Sequence, residues 1–357
     1  MRVVVAMSGG VDSSVTAALL KEQGYEVIGM MLRLWSEPGK EGSNRCCTPD
    51  AMEMAKRVAG RLKIPFYAID VREVFHDTVV KYFIDGYTQG ITPNPCLVCN
   101  RTIRFTFLLE RALAFGAEYL ATGHYARLRR DDLSEMVQLL RGIDAQKDQS
   151  YVLHVLNQHQ LSHVLFPVGS MTKSEVREVA RRINLPISDR PDSQDLCFLA
   201  GDDYRNFLER HTPQNLAVGN IINLDGVSLG THLGLAYYTI GQRKGLGIAS
   251  KYPLYVLKKD LESNTLIVGE AEYLGQRQLY AVNNNWISGI QPEGSFRVQV
   301  KIRYKAREAW ATVTPLGDYQ TEVIFDEPQR DITPGQAAVY YDGEMILGGG
   351  IIAKDKE

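Results

Sequence analysis

The sequence is poor in cysteine, with five in 357 residues, at positions 46, 47, 96, 99 and 197. An odd number spread so thinly excludes a secreted domain held by disulfides and leaves the thiols as candidates for chemistry. Charge of one sign is also lacking: 40 basic and 42 acidic side chains leave −2, so a polyanionic partner must be met by local patches. No apolar run approaches the roughly 20 residues of a spanning helix. The opening MRVVVAMSGG turns to glycine too early for a signal peptide, and a soluble, cytoplasmic chain with no membrane partner is the expectation. Neither GxxxxGK[ST] nor GxGxxG occurs, which disfavours an ordinary kinase, GTPase or NAD enzyme. Repeats and low-complexity tracts are missing too. What remains, 45% hydrophobic and 23% charged residues, is the composition of an ordinary folded protein of two or three domains.

Apolar runs at 3–7, 27–34, 66–70 and 119–122 alternate with helical patterns at 12–23, 49–62 and across 77–115. Strands separated by helices need crossover connections, so an α/β domain with a mostly parallel, doubly covered sheet is expected over residues 1–200. Arg129, Arg130, Asp131 and Asp132 read as a turn after which the helical pattern resumes, and Thr172 with Glu175 forms a capping-box spacing before a helix over 173–183. Glycine-punctuated sequence follows, giving a small β-rich central domain over 201–275. Runs such as FRVQVKIRYKAR and TEVIFDEP, with a DG hairpin signal near the end, predict a C-terminal β-barrel or sandwich over 276–357.

The sharpest motif is SGGVDS, residues 8–13, between the first strand and the first helix. Glycines there let backbone N–H groups close around an anion, and the helix N-terminus adds unpaired donors. A tight strand-to-helix turn would use the same glycines, but Ser8, Asp12, Ser13 and Ser14 add the polar groups a phosphate site needs. The motif resembles the pyrophosphate loop of the ATP pyrophosphatases (adenine nucleotide α-hydrolase-like fold), which split ATP between its α and β phosphates to adenylate a substrate.

Among the cysteines, Cys99 follows the rigid Pro93–Asn94–Pro95 turn and precedes Arg101 and Arg104, cations that favour a thiolate. Cys197 lies beside Asp192 and Asp195, a setting better suited to carrying sulfur. For either residue a buried apolar cysteine is the plain alternative. Cys96 and Cys99 form a CxxC, a weak metal signal that with Cys197 makes three thiolates, enough for an iron–sulfur cluster. Cys46 and Cys47 read as exposed loop residues. On one strand Arg297, Lys301, Arg303, Lys305 and Arg307 alternate with Val298, Val300, Ile302 and Tyr304. Period two makes this a basic stripe for a phosphate backbone or a merely solvated face, with Tyr304 pointing inward.

SGGVDS, TPNPxxxCN, ATGHYAR, KDQSYVL, DSQDLCF, GTHLGLAYYTIGQRKGLGI, KIRYK and TPGQAAVYYDGE, in that order, resemble the tRNA-specific 2-thiouridylases and cover nearly the whole chain. The resemblance implies ATP binding by Ala6, Met7, Ser8, Gly9, Gly10, Val11, Asp12 and Ser13, with Leu32 and Gly123 on the adenine or ribose side and Mg2+ accompanying the nucleotide. It implies catalytic roles for Asp12, for Cys99 as nucleophile and for Cys197 as persulfide carrier, with a transient Cys99–Cys197 disulfide. Asn94, Pro95 and Cys96 match the segment that touches the target base. His124, Lys147, Asp148, Gln149, Ser150, Arg303, Tyr304 and Gln336 match tRNA contacts. The implied partners are tRNA and a persulfide donor such as a cysteine desulfurase or sulfur-relay protein. One departure stands out, because the family pattern commonly places an acidic residue where this chain has Cys96. The competing functions are a cluster-dependent tRNA thiolase, a small-molecule ATP pyrophosphatase synthetase and a noncatalytic RNA binder using ATP structurally. Arg2 after Met1 leaves no amino-terminal glutaminase cysteine for the synthetase.

Overall fold

Along the first part of the chain the strands are β1 (Arg2–Ala6), β2 (Glu26–Arg33), β3 (Phe66–Asp70), β4 (Tyr119–Ala121), β5 (Ala126–Arg130), β6 (Val137–Arg141) and β7 (Val164–Leu165). The structure, a computed structural model, describes residues 1–40, 48–132, 134–187, 196–199, 201–213 and 216–354. Five of these strands form one parallel sheet in the order β3-β2-β1-β4-β7. Its side chains alternate between two buried faces. Val4, Met30 and Leu120 enter one apolar cluster, while Val3, Val5, Met31 and Ala121 enter another on the far side. Strands buried on both faces need no polar alternation, which is why β1 reads as a continuous apolar run.

Helix α1 (Val11–Glu22) follows β1, and α2 (Pro49–Leu62) follows β2. α2 starts where Thr48 accepts a hydrogen bond from Ala51 N at 3.0 Å and Pro49 occupies the first turn, where its missing N–H costs nothing. The predicted capping box is present: Thr172 accepts from Glu175 N, and Glu175 accepts from Thr172 N at 2.6 Å, ahead of the helix Lys173–Arg182.

The central region carries β8 (Gly219–Ile222), β9 (Ser228–His232), β10 (Tyr255–Asp260) and β11 (Thr265–Gly269) in the order β10-β11-β8-β9. The last region carries β12 (Gln276–Trp286), β13 (Phe296–Lys301), β14 (Ala309–Gly317), β15 (Gln320–Gln329), β16 (Ala337–Asp342) and β17 (Met345–Ile352). β12 pairs with both β15 and β17, closing these strands into a barrel and removing its edges.

One reading is corrected. Residues beyond the 129–132 charge run do not resume a helix: β5 and β6 form an antiparallel hairpin turned at Asp131, whose carboxylate accepts from Ser134 N at 2.8 Å. β6 then pairs with β17, Leu140 opposite Met345 and Leu139 opposite Ile346, so the first domain extends the barrel's sheet. Leu139 and Leu140 are adjacent and both buried, a pattern without strand alternation whose partner lies about two hundred residues downstream. Among the described residues no helix is long and apolar enough to cross a membrane.

Candidate active site

The order β3-β2-β1-β4 makes the chain leave β1 toward opposite sides, opening a crevice at the carboxyl ends of β1 and β4. Residues 6–13 lie there. Gly9 has φ +71°, and a Cβ on it would stand 2.4 Å from Ala51 O, so only glycine fits. Among the described residues no side chain makes a cap hydrogen bond at Gly10, which leaves the first N–H groups of α1 as donors for an anion. Ser13 Oγ accepts from Ser8 N at 3.2 Å and donates to Gly10 O at 3.3 Å, fixing the loop's curvature. Gly123, just beyond β4, approaches so closely that a Cβ would stand 2.8 Å from the Ser13 N atom. Ala6, Met7, Ser8, Asp12, Ser13, Leu32, Gly123 and Gln149 line one cleft, whose wall is completed by Met30 and Leu34.

Asp12 is held from two sides. Tyr125 donates its hydroxyl to Asp12 Oδ1 at 2.8 Å, and Lys173 Nζ donates to the same oxygen at 2.7 Å. A carboxylate and an ammonium facing a glycine loop suit a nucleotide's phosphates with their Mg2+, which commonly takes one or two protein carboxylates alongside phosphate oxygens.

Cys99 enters the same cleft from a helical segment over 95–114. It begins where Asn94 Oδ1 accepts from Cys96 N at 3.2 Å, with Pro95 in the first turn. Within it Cys99–Leu108 is wound as a π-helix. On an α-helix, Cys99 would lie about 140° from Arg104 and about 180° from Leu108. Winding with i→i+5 bonds takes more than four residues per turn, so Cys99, Ile103, Arg104 and Leu108 all face the cleft. Arg104 Nη1 donates to His124 Nε2 at 3.3 Å. A guanidinium cannot accept, so His124 is the neutral tautomer that donates from Nδ1 to Thr122 Oγ1 at 2.7 Å. Burial, and then the Arg104 charge, hold its pKa well below the ordinary histidine range.

Cys197 opens a short 3-10 turn, Cys197–Leu199, whose Phe198 and Leu199 are buried. Cys99 belongs to the apolar cluster of Phe75, Phe83, Phe198 and Phe207, and Cys197 packs against that same cluster. Two thiols about a hundred positions apart thus border one core. Among the described residues no disulfide joins Cys99 to Cys197, so the pairing implied by resemblance is not formed here. Among the described residues no three His, Cys, Asp or Glu side chains are placed to hold a metal ion, so the three thiols do not make the cluster site considered from sequence. Cys46, Cys47, Asp192 and Asp195 lie outside the described residues.

The segment expected at the target base meets the barrel. Gln336 Nε2 donates to Thr92 O at 2.8 Å, and Thr92 N donates to Pro334 O at 2.8 Å. Cys96 is exposed. Tyr304 is 37% exposed, with its ring centroid 6.1 Å from that of Tyr151. Burial, then Asp148 and Cys96 nearby, raise its phenol's pKa. The inward Tyr304 read from alternation is therefore corrected, because β13 ends at Lys301 and period two ends with it.

The basic stripe is corrected likewise. Arg297 pairs with Asp326 at 3.0 Å, Lys301 stands 3.5 Å from Glu308, and Arg303 donates to Ile240 O at 2.9 Å with Asp331 4.0 Å away. Lys305 and Arg307 are exposed, in the turn beyond the strand. His124, Asp148 and Ser150 are buried. Asp148 Oδ1 accepts from Gly142 N at 2.9 Å and Ser150 N at 3.1 Å, while its Oδ2 accepts from Ser150 Oγ at 2.9 Å; Lys147 beside it is half-buried.

Three family models match in sequence order: a tRNA methyl transferase HUP domain over residues 1–201, a tRNA methyl transferase PRC-barrel domain over 205–270 and an aminomethyltransferase beta-barrel domain over 276–352. The tRNA-specific 2-thiouridylase MnmA 1 of Caldanaerobacter subterraneus subsp. tengcongensis is 50% identical over 356 residues, 99% of this chain and 98% of that one. The chain belongs to the tRNA-specific 2-thiouridylase family. A second family relative, from Moorella thermoacetica, is 50% identical over 351 residues, 98% of each chain. Among solved structures, a 4-thiouridine synthetase in complex with RNA and bound ATP aligns at 19% identity and TM-score 0.37, over 60% of this chain and 50% of that one.

In this 2-thiouridylase family member, the residues that sequence reasoning missed are Lys173, Tyr125 and Thr122. Lys173 was legible only as the first residue after a helix cap, 161 positions from the aspartate it meets. Tyr125 stood within the ATGHYAR motif.

Proposed function

We propose that this chain uses ATP to replace O2 of a tRNA uridine with sulfur, at the wobble position. The carrying observation is that Cys99 and the SGGVDS loop line one cleft, so an activated base and a thiol can share it. A carbonyl oxygen is a poor leaving group and AMP a good one. Residues 8–13 would cradle the phosphates while Lys173, released from Asp12, follows the charge that develops on pyrophosphate. Mg2+ held with Asp12 would supply charge neutralisation.

Uracil O2 bonds to the α-phosphorus and pyrophosphate leaves. The terminal sulfur of a Cys197 persulfide bonds to C2, and the C2–O bond breaks with AMP departing. Cys99 thiolate then attacks Cys197 Sγ; the old S–S bond breaks, its electron pair stays with the sulfur on C2, and a Cys99–Cys197 disulfide forms. A thiol reductant supplies the two electrons that restore both cysteines. A persulfide-bearing protein would load Cys197. Asn94, Pro95, Cys96, Tyr304 and Gln336 are the proposed base-side contacts, and Asp148 and Ser150 shape the backbone beside Gln149.

Mass spectrometry of nucleosides from tRNA incubated with protein, MgATP and a persulfide donor tests the proposal. It requires 2-thiouridine with equimolar AMP and pyrophosphate. AMP without a thiolated nucleoside would favour a small-molecule synthetase instead.

A further inference from the structure

The segment TIGQRKGLGI is the motif that the site above leaves unused. It connects the 3-10 turn Leu235–Tyr237 to β10, and Gly241, Gly245 and Gly247 have φ of +82°, +77° and +70°. Left-handed backbone at three positions in seven is costly for any other residue, so the loop's shape is specified. It is also anchored. Gly241 N donates to Val256 O at 2.8 Å, Val256 N donates to Gln242 O at 3.0 Å, and Gln242 Nε2 donates to Lys244 O at 2.9 Å. Leu246 is buried in the central domain's core. Arg243 and Lys244, between these anchors, are exposed, and neither takes part in an ion pair among the described residues. A rigid loop that holds two unneutralised cations outward has no packing reason to do so.

Its position gives the reason. Ile240, one residue before the loop, accepts from Arg303, and Thr239 Oγ1 stands 3.4 Å from Thr92 Oγ1 in the target-base segment. The loop therefore roots where all three domains meet. Its cations differ from those of β13, where Arg297 and Lys301 each have an acidic partner.

We propose that the Gly241–Gly247 loop is a phosphate-backbone clamp for the RNA substrate, with Arg243 and Lys244 as its contacts. The inference rests on the tRNA-thiolation reading. Phosphate contacts fix register without reading sequence, which is what a loop beside the target-base segment would supply.

The test uses the full chain, unmodified tRNA and filter binding across a salt series, with Arg243→Gln/Lys244→Gln compared with wild type and with Arg297→Gln. Wild-type protein is first shown to form 2-thiouridine; failure there overturns the reading and the clamp with it. The double variant should bind tRNA more weakly, and its log affinity against log salt slope should shrink by about 0.7 to 0.9 per contact, about 1.4 to 1.8 in all. Arg297→Gln should leave the slope within about 0.3 of wild type, far below one lost contact. ATP affinity, measured on each variant, reports that the fold is retained. A double variant with wild-type ATP affinity, slope and tRNA affinity, in a protein that makes 2-thiouridine, overturns the clamp alone. Arg243→Lys/Lys244→Arg, which keeps both charges, should restore the slope, and failure to do so would also count against it.

Discussion

The cleft lined by residues of the 6–13 loop and the rim formed by β13 and the Gly241–Gly247 loop handle charge in opposite ways. In the cleft, charge waits in partnership: Asp12 is held by Lys173 and Tyr125, and neutral His124 is fixed between Thr122 and Arg104. A substrate arriving there exchanges one set of fixed partners for another, the preorganisation that stabilises developing charge. On the rim, β13 spends its cations on Asp326 and Glu308, while Arg243 and Lys244 stand outside any ion pair among the described residues. The difference teaches that a basic side chain in the sequence is not a basic side chain offered to a partner. Cleft substitutions should therefore remove chemistry with RNA binding intact, and rim substitutions the reverse.

The largest effect belongs to the thiols. Cys99→Ser and Cys197→Ser should each abolish 2-thiouridine formation while retaining ATP and tRNA affinity, because in the proposed route the sulfur carrier and the resolving thiol cannot replace one another. Cys96 is exposed and is proposed only as a base-side contact, so Cys96→Ser should retain substantial turnover and Cys96→Asp, which supplies the acidic group the family resemblance implies here, should equal or exceed it. Equal loss in Cys96→Ser would break the division between cleft and rim.

Lys173→Ala comes next. Removing the only ammonium bonded to Asp12 among the described residues should slow pyrophosphate release by about 10²- to 10³-fold, the usual range for one preorganised donor. The tRNA salt slope should stay at the wild-type value. A changed slope would place Lys173 on the RNA.

How far the sequence could be read follows the same boundary. The glycine turn at residues 8–13 was legible because those residues are contiguous and join the first strand directly to the first helix. So were α2 and β3, whose observed limits, Pro49–Leu62 and Phe66–Asp70, coincide with the bounds read from the apolar pattern. The β5–β6 hairpin was not, since its pairing with β17 is decided by residues far downstream. Nor was the π-winding that turns Arg104 toward the face of Cys99, because the i→i+5 register leaves no local signature that composition reveals. The paired state of Arg297 depends on Asp326, on another strand.

A smaller effect tests the buried ground between cleft and barrel. His154 accepts nothing from solvent: it is 1% exposed, its Nδ1 lies 2.7 Å from Tyr151 O, and burial pushes its pKa down to about 4. The native state keeps it neutral while the unfolded chain takes a proton below about 6.5. Stability from this group is therefore complete above pH 6.5 and falls as pH drops toward 4, by about 3 kcal/mol over the window. Urea unfolding at pH 7 and pH 4.5 measures it, and His154→Gln should flatten the dependence. An unchanged dependence in that variant would remove His154 as its source.

The smallest expected change is Arg297→Gln, whose guanidinium already has Asp326 as partner and is exposed; stability should move by less than about 1 kcal/mol, as for other surface pairs. Urea unfolding at pH 7 reads it, and a larger loss would mean that the strand's pairing is structural rather than merely neutralising.

The central claim is that O2 of the base is adenylated in the same cleft where sulfur arrives, and an oxygen label tests it most directly. tRNA carrying [2-18O]uridine at the target position is incubated with protein, MgATP and a persulfide donor, and the AMP released is analysed by mass spectrometry. The account predicts one 18O atom in the AMP phosphate for each 2-thiouridine formed. Unlabelled AMP accompanying a full yield of 2-thiouridine would contradict it.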